Sequence, residues 1–129
     1  MRNQRPVLIE FATAQFTSAG TASVLDWTAT NGTIYAVHCV WVCSNDTSNK
    51  GAVFTREMAC EFIGGTLSQI GSTDNAGTTD KISAGFYGAG SPDVVLDVNT
   101  DKIRARFIHS GTDTVNVNVY LTIQERVQA

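Results

Sequence analysis

An all-β fold, an antiparallel β-sandwich of jelly-roll-like type with about eight or nine strands, is what three features of this sequence predict. Apolar and polar residues alternate with period two over several stretches. Clusters of Gly, Asn, Asp, Ser and Thr separate these stretches at short intervals. No window carries a helical apolar stripe with a cap at both ends. The 129 residues suit one domain. Residues 1–6 read as a loose N-terminal arm and 7–129 as the sandwich.

The arm holds Arg2, Asn3, Gln4 and Arg5, none of which has apolar surface to bury. Weaker strands are expected at 7–13 and 21–27. The stretch 33–43 differs from both. Tyr35, Val37, Cys39, Trp41 and Cys43 form one face, and Ile34, Ala36, His38, Val40 and Val42 form the other. Both faces are apolar, so this strand is expected to be covered on both sides, the second cover being another subunit. Next, Ala52, Phe54, Met58, Cys60 and Phe62 share a face broken by Arg56, with Thr55, Glu57 and Glu61 opposite. Strands at 66–70, 81–87 and 94–98 are expected on weaker signals. Ile103, Ala105 and Phe107 alternate with Lys102, Arg104 and Arg106. The clearest alternation is the last, in which Val115, Val117, Val119, Leu121 and Ile123 interleave with Asn116, Asn118, Tyr120, Thr122 and Gln124. The large aromatics, Tyr120 included, are expected mostly in the core.

Composition narrows the partners. Charged residues make up 16% of the chain, against about 25% in ordinary domains. The net charge of −3 argues against nucleic acid, whose phosphates call for a basic face. No apolar run approaches the ~20 residues of a membrane span. The basic start is followed only by Val7-Leu-Ile9 before Glu10 interrupts it, a poor signal peptide, so cytoplasmic synthesis is the default.

Three cysteines, Cys39, Cys43 and Cys60, form no disulfide framework. Four residues apart on a strand is roughly 13 Å, too far for Cys39 and Cys43 to bridge. A tight turn near residues 45–50 would set Cys60 opposite Tyr35. Three reduced thiols acting as small buried hydrophobes are expected, and their spacing suits no zinc site. The two histidines read as a hydrogen-bonded core residue, His38, and a surface residue, His109. No serine stands in a nucleophile elbow. Glu57 and Glu61 lie about 13 Å apart on one strand face, beyond glycosidase spacing. Asp93, Asp97 and Asp101 lack a compact calcium loop. Lys102, Arg104 and Arg106 are expected to pair across a sheet with Glu57 and Glu61, or to meet an acidic partner. No catalytic, cofactor-binding or metal residue is assigned.

The segments Gly32-Thr-Ile-Tyr-Ala-Val37, Gly51-Ala-Val-Phe-Thr-Arg56, Gly64-Gly-Thr-Leu-Ser-Gln-Ile-Gly-Ser72, Asp101-Lys-Ile-Arg-Ala-Arg106 and Gly111-Thr-Asp-Thr-Val115 resemble a small β-domain in virion proteins of tailed bacteriophages. Such domains often sit at the ends of tail or head fibres. They often carry a Trp shortly after the Thr-Val pair, where this chain has Val117. The resemblance implies a non-enzymatic, oligomeric virion component without cofactors. With no shaft in the sequence, the leading expectation is a capsid decoration (cement) protein. It would assemble in the host cytoplasm, bind the capsid exterior as a dimer or trimer, and stabilise the head across neighbouring major capsid protein subunits. The alternative is a short head- or tail-fibre module binding a host surface glycan or protein. Arg2, Arg5, Trp41, Arg104 and Arg106 are the candidate capsid or oligomer contacts, and neither nucleic acid nor membrane is an expected partner.

Overall fold

The computed structural model describes residues 7–74 and 80–128. Nine strands appear among them: β1 (Leu8–Phe16), β2 (Gly20–Thr28), β3 (Thr33–Asn45), β4 (Lys50–Ile63), β5 (Thr66–Asp74), β6 (Lys81–Ile82), β7 (Asp93–Asn99), β8 (Lys102–His109) and β9 (Val115–Val127). Every pairing is antiparallel. The result is the predicted β-sandwich, built from unequal sheets. The larger runs β1-β9-β3-β4-β5, with the short β6 also on β4, and the smaller runs β2-β8-β7.

Period two decides the core. In β3, Tyr35, Val37, Cys39, Trp41 and Cys43 all point between the sheets and are buried. Val117, Val119, Leu121 and Ile123 lie beside them on β9, and Ala52, Phe54, Met58 and Cys60 on β4. The smaller sheet closes this layer with Val94, Leu96, Ile103, Ala105 and Phe107. Each large side chain so buried contributes about 1.5–3 kcal/mol of transfer free energy.

Turn chemistry fixes the registers. The two-residue loop between Ile63 and Thr66 is Gly64-Gly65, with φ of 64° and 82°. Positive φ at both loop positions is the type I′ arrangement, which glycine adopts without Cβ strain. The β3–β4 turn is held by Asn45, whose Oδ1 accepts from the backbone N–H groups of Thr47 (2.9 Å) and Ser48 (3.2 Å). Cys60 lies opposite Tyr35, as that turn predicts. All three cysteines are free and buried. Burial pushes the Cys43 and Cys60 thiols up to about 12 and raises that of Cys39 as well, because a thiolate there would lose its hydration.

One strand expectation needs correction. The strand expected at 81–87 stops after Ile82. Ser83 then accepts a turn hydrogen bond from Phe86 N–H at 3.1 Å. Phe86 and Tyr87 are both buried and pack edge to face, their centroids 4.9 Å apart. Two adjacent aromatics cannot share one face of a strand, so they cap one end of the sandwich instead. This chain covers only the inner face of β3: on the outer face Ala36 and Val42 are exposed and Ile34, His38 and Val40 are half-buried.

Candidate functional site

The outer face of the larger sheet is the feature of the surface that most needs a physical account. The register stacks Ile9, Thr122, His38 and Glu57 in one row across β1, β9, β3 and β4. Phe11, Tyr120, Val40 and Thr55 form the next row, and Thr13, Asn118, Val42 and Val53 the row after that. On the other side of the His38 row come Gln124, Ala36, Ala59 and Ile70, then Arg126, Ile34, Glu61 and Ser68. Eight large hydrophobic side chains are exposed among the described residues, and Ile9, Phe11, Val42, Val53, Ile70 and Tyr120 belong to this one face. Ile9 is 68% and Phe11 54% exposed. The Phe11 and Tyr120 rings touch, with centroids 5.1 Å apart. Singly scattered apolar residues are ordinary; six on one sheet face, with the Phe11 and Tyr120 rings in contact, set this face apart from the rest of the described surface.

A shallow groove crosses this face beside the irregular β4–β5 pairing, lined among others by Ala36, His38, Glu57, Ile70, Ser72 and Thr122. It gathers a serine, a histidine and a glutamate, the residue types of a hydrolytic triad. His38 and Ser72 lie on β3 and β5 with β4 between them, so two strand spacings, roughly 9–10 Å, separate their backbones.

The basic stripe of β8 faces outward on the smaller sheet. Arg104 grips Asp97 of β7 in a two-point contact, Nε and Nη2 each at 2.8 Å from a carboxylate oxygen, and Arg106 reaches the same carboxylate at 3.4 Å. The hydrogen bonds it donates to Asp97 raise the Arg104 pKa further above its already high ordinary value. Lys102 Nζ lies 3.0 Å from Asp101, which holds the Asp101 carboxyl below the usual range. The expected pairing with Glu57 and Glu61 is therefore wrong: those residues sit on the outer face of the other sheet, where β8 cannot reach them.

Arg56, the break in the apolar face of β4, points between the sheets. Its guanidinium lies 2.6 Å from Asp80 and 3.4 Å from Asp93, and also donates to the Thr55 carbonyl at 2.9 Å. The roles of the two histidines are reversed. His109 is buried: its Nε2–H donates to the Asp113 carbonyl (2.8 Å), which leaves Nδ1 to accept from the Tyr87 hydroxyl (2.7 Å). His38 instead stands on the open outer face.

Of the sequence-derived contact residues, Trp41 lies wholly in the core and has no surface to offer a partner. Arg104 and Arg106 are half-buried and already engaged by Asp97. Arg2 and Arg5 lie outside the described residues. The apolar surface around Phe11 and Tyr120 escaped the sequence reading. One signal for it was present: Leu8 and Ile9 put apolar residues on both faces of β1, as in β3.

No protein-family model and no curated protein matches the chain. Among solved structures, the tailspike protein of Acinetobacter baumannii phage AM24 aligns over 96% of this chain and 27% of its own, with 14% identity and a TM-score of 0.48. The tailspike protein of Acinetobacter phage vB_ApiP_P1 aligns over 98% of this chain and 23% of its own, with 14% identity and a TM-score of 0.34. The chain thus spans about a quarter of the length of these tailspikes.

Proposed function

We propose that the chain is a structural, non-catalytic module of a phage virion, belonging to a tail or fibre and working by assembly through the outer face of its larger sheet. The observation that carries this reading is the contrast between its surfaces. On the smaller sheet and between the sheets, Arg104, Arg106 and Arg56 are each matched to an aspartate within the chain. The larger sheet leaves Ile9, Phe11 and Tyr120 in water. Covering such a face is favourable by about 25 cal/mol per Å² of apolar surface removed from solvent. The turn-bounded segments resembling phage virion β-domains support the setting.

A tail or fibre position replaces capsid decoration as the preferred site. Of the candidate capsid or oligomer contacts, Trp41 is in the core, Arg104 and Arg106 are engaged at home, and Arg2 and Arg5 lie outside the described residues. The non-catalytic part of the reading follows the resemblance to virion β-domains, which implies no catalytic residues. Immunogold electron microscopy of phage particles, with antibody raised against this chain, tests the placement. Label on the tail or its fibres is the expected result. Label on the head would restore decoration, and unlabelled particles would remove the virion reading. Turnover of a host polysaccharide by the purified chain, lost in His38→Ala, would overturn the non-catalytic part.

A further inference from the structure

We infer that the outer face of the larger sheet is a twofold interface between two copies of this chain, with β3 lying along the axis. The first support is extent. β9, β3 and β4 share thirteen rows, which at about 4.8 Å by 3.3 Å per residue cover roughly 600 Å², and β1 and β5 extend this at opposite ends toward the ~800 Å² per partner of a standard stable interface. The second is charge. In the row formed by Arg126, Ile34 and Glu61, the arginine and the glutamate flank the central β3 residue on opposite sides. A twofold axis along β3 exchanges the two flanks, so each Glu61 meets the partner's Arg126, and the pair is made twice.

The axis itself carries Ile34, Ala36, Val40 and Val42, which meet their own copies as an apolar seam. His38 lies on the same line, with Glu57 beside it in register. The two Glu57 carboxylates therefore enter the interface on either flank of the paired imidazoles. Sheets packed in this aligned manner cross at about 30°, which a twofold axis bisects. The doubly apolar pattern of β3 then has its cause: one face packs in the sandwich and the other in the dimer. A second copy is favoured over a foreign partner because one row supplies both members of the charge pair at self-complementary positions.

Sedimentation equilibrium on wild type, Glu61→Arg, Arg126→Glu and the double reversal tests this. Wild type is expected at twice 13.8 kDa. Each single reversal replaces two attractive pairs by two repulsive ones and is expected to weaken the dimer by about tenfold, with the double reversal returning to within about threefold of wild type. Val40→Glu, which sets two carboxylates against each other on the axis, is expected to give monomer with an unchanged far-UV circular dichroism spectrum. Any one of three results overturns the inference: wild-type monomer at about 100 μM, where an interface of this area should hold; a trimeric mass; or a dimer indifferent to all these changes. None of them bears on where immunogold label falls, so the virion reading and the dimer fail separately.

Discussion

Removing either partner of the Arg56–Asp80 ion pair should have unequal consequences, and the inequality can be worked from exposure. The Arg56 side chain is 6% exposed, Asp80 20% and Asp93 60%. In Asp80→Asn the guanidinium keeps its charge inside the sandwich, left with the Thr55 carbonyl and a 3.4 Å contact to a largely hydrated Asp93. An uncompensated buried charge costs about 3–5 kcal/mol. In Arg56→Met the charge leaves with the side chain, a similar volume remains between the sheets, and Asp80 can turn to water. The loss is then about 1–3 kcal/mol for an imperfectly solvated acceptor, plus about 0.5–1 kcal/mol for the guanidinium 6.0 Å over the Phe54 ring. Urea denaturation of both single variants and the double variant measures this. Asp80→Asn should be the less stable single variant by about 1–2 kcal/mol, and adding Arg56→Met to it should restore stability. Equal losses, or a double variant worse than either single, would refute the assignment of Arg56 as a charge that depends on Asp80.

Three further outcomes are expected. The Trp41 indole N–H is buried without a hydrogen-bond partner, a burden of about 1–3 kcal/mol; Trp41→Phe should therefore stay within about 1 kcal/mol of wild type in thermal melts, whereas Trp41→Ala should lose about 3–5 kcal/mol to the cavity. The thiols of Cys39, Cys43 and Cys60 should resist a disulfide reagent at pH 8 and all react once the chain is unfolded. Their folded-state pKa values are raised, so the stability they contribute is complete below about 9 and is lost as pH climbs toward about 12, which denaturant midpoints across that range will show. Gly65→Ala, at a φ of 82°, should cost about 1–2 kcal/mol by differential scanning calorimetry.

Period two made most of the fold legible. β8 and β9 alternate without a break, and both start within a residue or two of where the pattern places them. Gly64-Gly65 marked a hairpin loop that the backbone confirms. What alternation leaves open is which sheet a strand joins. The cations of β8 and the carboxylates of β4 read as partners because both line polar strand faces, yet the chain crosses from the larger sheet to the smaller between β6 and β7, and Asp97 one hairpin away is the nearer anion. The histidines were misplaced for a related reason. His38 shares a face with valines, which looks like core until the partner sheet is found on the other side. His109 sits beside a turn, which looks like surface until Tyr87 and the 113 carbonyl close over it. Tyr120 keeps phase with asparagines and is exposed as that phase implies, although its ring suggested burial.

Methyl NMR on a dilution series most directly tests the claim that the outer face of the larger sheet is the working surface. On concentration, the methyl signals of Ala36, Val40, Val42 and Val53 should shift together, while those of Val37, Val117 and Val119 on the inner face stay still. Shifts confined to Val95 and Ile108 on the outer side of the smaller sheet, or no shifts anywhere, would contradict it.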